Sequence, residues 1–239
     1  MGRNSNALVN YMIILTGASG GIGRAILPSL TAIDDVVAIY NTNLPDISGM
    51  AGVISCRLDL TSEQGVANFV DTMKDRLTKI TIIHAAALAR QESLAVQFKT
   101  EDWDAVMNVN LRGNFFLTRA LLMPMIKEKW GRIIHFSSAA GMHVAPGTLA
   151  YSTSKTALLG MSRVFATEYA RFGITSNVLV NGYFNTGMYQ ALGEKAQKKL
   201  IDSIPSRRLG DPANIVNAVE FLIKSDYVNG SAIHIDGGI

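Results

Sequence analysis

A single α/β domain, built as a doubly wound parallel sheet of about seven strands with helices on both faces, follows from three observations on this sequence. Short apolar runs of strand length alternate with longer segments of helical periodicity from one end of the chain to the other. A glycine-rich turn, Thr16-Gly-Ala-Ser-Gly-Gly-Ile-Gly23, joins the first apolar run to the first helical segment. The 239 residues are 48% hydrophobic and only 17% charged, which suits a deeply buried sheet and a single core.

In chain order, strands are expected at 11–15, 36–40, 53–56, 80–84, 132–137, 174–180 and 232–235. Helices are expected at 21–32, 62–77, 101–127, 149–172, 193–203 and 212–224, the third broken near Asn108. Tyr11-Met-Ile-Ile-Leu15 reads as the first strand, and the apolar residues of Arg24-Ala-Ile-Leu-Pro-Ser-Leu30 suit one face of a helix. Between them the glycines let the backbone turn tightly and approach a pyrophosphate, while a helix amino terminus offers unpaired N–H groups to its charge. The stretch Asn41 to Gly52 carries Pro45, Gly49 and Gly52, so the crossover helix normally found there is expected to be vestigial or absent. Neither repeats nor an internal linker divide the chain.

Composition excludes several function classes. A net charge of +3 is too mild to argue for nucleic acid, and no apolar run approaches the roughly 18–20 residues that span a bilayer. Met1 to Asn10 is polar and lacks the apolar core of a signal peptide, so a cytoplasmic location is expected. Cys56 stands alone, and His84, His135, His143 and His234 are scattered, so no metal site is expected. Lys195, Lys198, Lys199, Arg207 and Arg208 form a basic stretch, either a solvated helix surface or a landing place for an acidic partner or an anionic substrate tail.

The chemistry centres on Tyr151-Ser-Thr-Ser-Lys155, with Ser138 upstream. A tyrosine and a lysine four apart share one helix face. An ammonium near a phenol favours the phenolate, making the tyrosine a proton donor near neutral pH. A serine bonded to the same substrate oxygen completes a site for moving a proton on or off a carbonyl.

These residues resemble the short-chain dehydrogenase/reductases, in the compact single-domain branch, over about Tyr11 to Gly238. The matching pieces are the Thr16–Gly23 turn, Asp59-Leu60, Asn110-Leu-x-Gly113, Ser137-Ser138, Tyr151-x-x-x-Lys155 and Gly230…Asp236-Gly-Gly238. The resemblance implies a Rossmann-type dinucleotide fold and catalytic roles for Asn110, Ser138, Tyr151 and Lys155. Tyr151 would be the general acid in reduction, Lys155 would lower its pKa and bond the nicotinamide ribose, and Ser138 would orient the carbonyl. Asn110 would hold a water through which Lys155 exchanges protons. The cofactor would lie on Gly17, Ser19, Gly21, Ile22, Gly23, Asn41, Thr42, Asp59, Leu60, Ala85, Ala86, Tyr151, Lys155 and Thr186, with Asp59 on the adenine amine and Thr186 on the nicotinamide carboxamide. Direct hydride transfer needs neither metal nor flavin.

Two positions depart from the family pattern. His84-Ala-Ala-Ala87 stands where Asn-Asn-Ala-Gly is usual, so either His84 replaces the asparagine bond that ties neighbouring strands or the region is looser. Asn181-Gly182 stands where Pro-Gly is usual, which frees the backbone before the nicotinamide contact. At the end of the second strand, Ile39-Tyr-Asn-Thr-Asn43 lacks the carboxylate that chelates the ribose of NAD, which favours NADP(H) over NAD(H). Met142, His143, Val144, Tyr183, Met188 and Tyr189 are expected to line the substrate pocket, the last three within a closing segment at about 183–208 that also contains Phe184 and Leu192. Arg90 to Phe98 with Glu101-Asp-Trp103 looks like the 3-oxoacyl-acyl-carrier-protein reductases, and Lys129 and Arg171 fall near basic residues those enzymes use for the acidic carrier. The leading expectation is therefore an NADPH-dependent reductase of a ketone, a 3-oxoacyl thioester on acyl carrier protein, assembled as a dimer or tetramer. A dehydrogenase of a sugar, polyol or secondary alcohol is the alternative, and a catalytically silent nucleotide-binding regulator a remote one.

Overall fold

The computed structural model describes residues 11–90, 93–141, 146–190 and 192–239, without the side chains of Ala140 and Met188. Seven parallel strands run β1 (Met12–Thr16), β2 (Asp35–Tyr40), β3 (Val53–Arg57), β4 (Ile80–His84), β5 (Gly131–Ser138), β6 (Ile174–Asn181) and β7 (Ala232–Ile235). Their order across the sheet is β3-β2-β1-β4-β5-β6-β7. Chain order therefore reverses between β1 and β4, and a crevice opens there beyond the carboxyl ends of the strands.

The five inner strands, β2, β1, β4, β5 and β6, are buried on both faces by strict alternation, while β3 and β7 at the edges are partly exposed. Met12, Ile14, Val37, Ile39, Ile80, Ile82 and Ile133 point to one side. They meet Phe69 of α2 (Glu63–Met73), Leu117 and Leu121 of α4 (Gly113–Glu128), and Phe165 of α5 (Leu149–Tyr169). Ile13, Leu15, Val36, Ala38, Ile83 and Ile134 point to the other side. There they meet Ile26, Leu27 and Leu30 of α1 (Gly21–Leu30), and Ile215, Val219 and Leu222 of α8 (Pro212–Lys224). Ser62 caps α2 by accepting from the Gly65 N–H, and Asp211 caps α8 by accepting from Ala213, with Pro212 at the first turn.

As expected, the chain between β2 and β3 has no helix, in keeping with Pro45 and the left-handed Gly49 and Gly52. Two features differ in detail from the sequence expectation. The long third helix does not break at Asn108. α3 (Thr100–Met107) passes through a π turn at Asn108–Arg112 and continues as α4. A four-residue helix, α6 (Gly187–Gln190), precedes α7 (Glu194–Ser203) in the segment expected to close over substrate. Among the described residues, no helix is long and apolar enough to cross a membrane and no His, Cys, Asp or Glu cluster could hold a metal ion.

Candidate active site

A cleft of about 620 Å³ occupies the crevice at the β1/β4 reversal. Of the residues expected to hold a nucleotide or to act on substrate, it gathers Gly17, Ser19, Gly21, Ile22, Gly23, Asn41, Thr42, Asp59, Leu60, Ala85, Ala86, Ser138, Tyr151, Lys155 and Thr186. Its floor is made by glycines that nothing larger could replace. Gly17 has φ +67°, and a Cβ there would lie 2.7 Å from the Ala86 Cα. A Cβ on Gly21 would lie 2.7 Å from the Gly187 nitrogen, at the start of α6. The Thr16 hydroxyl accepts from the Ala86 N–H at 3.1 Å, and this bond ties β1 to the chain leaving β4. The amino end of α1 has no side-chain cap, so its first N–H groups face the cleft as a seat for phosphate. The residues present therefore fit a dinucleotide: an extended cleft, a close-approach backbone and an uncapped helix terminus.

At the β2/β3 end of the cleft, the Asp59 carboxylate accepts from the N–H and hydroxyl of Thr61, at 2.9 and 2.7 Å. Asn41 and Thr42 are exposed on the rim. Arg57 was not anticipated there. It ends β3 opposite Tyr40, and its Nε donates to the Asn41 carbonyl at 3.0 Å. The sheet register thus brings a guanidinium beside Asn41, which lines the cleft, a charge that the local β2 sequence lacks.

At the other end, α5 presents Tyr151 and Lys155 to Ser138 at the tip of β5. The Ser138 hydroxyl is hydrogen-bonded to the Tyr151 phenol. The Lys155 ammonium donates to the Phe136 carbonyl at 2.7 Å and lies 5.7 Å from the Tyr151 ring centre. The Ser137 hydroxyl donates to the Lys155 carbonyl at 2.9 Å, which pins α5 against β5. Burial pushes the Tyr151 phenol up from its ordinary value, against the lowering effect of the Ser138 bond, with Tyr183 adding to the rise. This is opposite to the lowering expected from the Tyr/Lys spacing, because the ammonium is engaged by a carbonyl and the desolvation of the phenol outweighs its effect. Burial also brings Lys155 down, to about 8. Both groups carry their protons at pH 7.

Asn110 is fully buried and its carboxamide is spent on structure. Its Oδ1 accepts from the Leu88 N–H at 2.7 Å, and its Nδ2 donates to the Leu88 carbonyl and the Ser154 hydroxyl, both at 3.0 Å. Any water that Asn110 holds must be held by its main chain, in the π turn. Of the expected substrate residues, Tyr183 is partly exposed and electrostatically coupled to Tyr151. Tyr189 is half-buried on α6. Phe184 is not a pocket residue: it is 3% exposed and packs with the α1/α8 core. Met142, His143 and Val144 lie outside the described residues, as does the Met188 side chain. Lys129 and Arg171 are exposed at the amino ends of β5 and β6, the opposite end of the sheet from the cleft, so they do not flank its mouth.

The two departures have different outcomes. His84 does not replace the strand tie, which Thr16 makes. Its Nε2 instead meets the Thr118 hydroxyl of α4 at 2.8 Å, and its ring stacks on His135 at 4.9 Å. Burial, then the neighbouring charges, hold both imidazoles neutral, with His135 lowered from 6.5 to about 3. A proton enters the unfolded chain below pH 6.5 but the folded chain only near pH 3, so this contribution is complete above 6.5 and drains as pH falls through that window. At pH 5 the loss is about 2 kcal/mol, worth about 5 °C in Tm. The drop in Tm between pH 7.5 and pH 5 should therefore be about 5 °C smaller in His135→Asn than in the parent; equal drops would contradict the assignment. At the second departure, Gly182 is clamped against the end of β7. Its N–H donates to the Ile235 carbonyl at 2.9 Å, and a Cβ there would lie 2.5 Å from the Asp236 Cα. Packing thus supplies the stiffness that proline would give. The Asn181 side chain is 3% exposed, and neither end of its carboxamide has a hydrogen-bond partner. Each such idle group costs about 1–3 kcal/mol.

A reversal-point cleft with a glycine floor, next to a serine, tyrosine and lysine, defines an NAD(P)-dependent oxidoreductase. Residues 17–239 match the family model described as Enoyl-(Acyl carrier protein) reductase. The 3-oxoacyl-[acyl-carrier-protein] reductase FabG of Rickettsia felis is 32% identical over 233 residues, 95% of each chain. FabG of Thermotoga maritima is 32% identical over 242 residues, covering 97% of this chain and 98% of its own. The solved structure of ElxO with NADP bound superposes with a TM-score of 0.87 at 22% identity, covering 96% of this chain and 98% of that one. The chain belongs to the short-chain dehydrogenase/reductase family.

Proposed function

We propose that this protein is an NADPH-dependent carbonyl reductase whose substrate is a 3-oxoacyl thioester. The observation that carries the reading is the Ser138–Tyr151 hydrogen bond at the cleft, with the Lys155 ammonium behind it. Bound NADPH supplies a hydride to the carbonyl carbon. The Tyr151 phenol donates its proton to the carbonyl oxygen, and Ser138 holds that oxygen and stabilises the charge growing on it. Lys155 favours the phenolate left behind and passes it a new proton, while Asn110 positions the turn beside them. Because the carbonyl must receive a proton, turnover in the reducing direction should fall as pH rises through about 8, where Lys155 loses its charge. A rate flat to pH 10 would contradict that role for Lys155.

Preference for NADPH over NADH is supported by the rim at the end of β2, where Asn41 and Thr42 present no carboxylate and Arg57 brings a positive charge. The thioester is supported by the FabG relatives, which are 3-oxoacyl-[acyl-carrier-protein] reductases. It is also supported by Lys195, Lys198 and Lys199, all exposed on α7 in the segment 183–208, which we assign to closing over substrate and meeting an acidic carrier or phosphorylated tail. Exposed Phe115 and Met123 on α4 and Val164 on α5 support a homo-oligomer joined through these helices. Initial rates with acetoacetyl thioester on acyl carrier protein, on coenzyme A, and with a panel of sugars and simple ketones test the substrate. The carrier-bound ester should turn over fastest; a preference for a sugar or a free ketone would replace the thioester reading.

A further inference from the structure

We infer that Asn181 is a cofactor-reading residue: its side-chain carboxamide pairs with the carboxamide of the nicotinamide ring, a role resting on the oxidoreductase reading above. Asn181 ends β6, its Cα paired with Ser138 on one side and Ile235 on the other. It lines the cleft between Ser138 and Thr186, at the catalytic end. Its Oδ1 and Nδ2 are both buried and both without a partner. A buried amide with idle donor and acceptor is matched best by a ligand group that offers both an acceptor and a donor. A substrate ketone offers only an acceptor, and a ribose hydroxyl has no planar pair. A carboxamide offers the two side by side.

The surroundings allow the side chain to move but not the backbone. Gly182 is pressed on Asp236 and bonded to Ile235, so the chain after Asn181 is fixed. The carboxamide is sealed from solvent in this structure and meets the ligand by rotating about its own side-chain bonds into the cleft. Asn181 neither gives nor takes a proton in the reaction. It sets the plane in which the ring is held relative to Ser138 and Tyr151.

Binding without turnover tests this. Dissociation constants for NADPH, for its 3-acetylpyridine analogue and for 2′-phospho-ADP-ribose, which lacks the nicotinamide, are measured by calorimetry on the parent protein and on Asn181→Ala. The variant should bind NADPH about tenfold more weakly and the fragment within twofold of the parent. Its Tm without nucleotide should be no lower, since the idle groups are gone. In the parent protein the acetylpyridine analogue, with methyl in place of the amide nitrogen, should bind less tightly than NADPH, and that penalty should shrink about tenfold in the variant. Equal losses for NADPH and the fragment, or no loss for either, would overturn the role of Asn181. Should the variant fail to fold, an acetylpyridine analogue that binds the parent as tightly as NADPH overturns it equally. Parent protein that binds neither NADPH nor the fragment would instead overturn the cofactor reading beneath it.

Discussion

Replacing Tyr151 by phenylalanine should lower kcat for carbonyl reduction by about a thousandfold or more while leaving the NADPH dissociation constant within about twofold. In the proposed mechanism the phenol is the proton source, and a positioned acid contributes roughly 10²–10⁴ in rate. A thousandfold loss corresponds to about 4 kcal/mol of barrier. The change removes one hydroxyl from a partly buried residue, and its ring packing is kept. Ser138 then loses its hydrogen bond to Tyr151, but the Lys155 bond to the Phe136 carbonyl and the Ser137 bond to the Lys155 carbonyl do not depend on the phenol. Loss of turnover with retained binding thus separates chemistry from folding. Steady-state kinetics beside calorimetry checks it, and a variant with more than a tenth of the parent rate would remove Tyr151 as the acid.

The second large effect is expected at the adenosine end. Thr42→Asp should turn the cofactor preference by about a hundredfold towards NADH, because a carboxylate there chelates ribose hydroxyls and repels a 2′-phosphate. Arg57→Ala should weaken NADPH by about tenfold and leave NADH unchanged, since its charge has no phosphate to meet in NADH. The double variant should fall short of the product of the two effects, as expected for groups sharing one phosphate. The ratio of kcat/KM for the two cofactors is the measurement. A ratio unmoved by Thr42→Asp would show that this rim does not read the ribose.

What the sequence made legible, and what it hid, divides along the range of the forces involved. The strands were readable as short runs rich in apolar residues, and in the inner ones alternate residues enter opposite cores, as Ile13 and Ile14 do. The glycine floor was readable because a left-handed Gly17 and a crowded Gly21 leave their mark in residue type. The helix-spaced Tyr151 and Lys155 were readable for the same reason: their relation is local. Arg57 escaped because its place beside Asn41 follows from β2–β3 register, sixteen residues away in the chain. The direction of the Tyr151 shift depends on enclosure, which spacing alone does not encode. Asn181 was visible as an odd residue, but its idle carboxamide is a fact of packing between β5 and β7.

The most direct measurement is isotope transfer: NADPH deuterated at the transferable position of the nicotinamide is incubated with acetoacetyl thioester on acyl carrier protein, and the product is analysed by mass spectrometry. One deuterium at C3 of a 3-hydroxyacyl product, in equal amount to the NADPH consumed, is the result the account predicts. Carrier ester recovered unchanged while NADPH remains bound, or product carrying no deuterium, would contradict it.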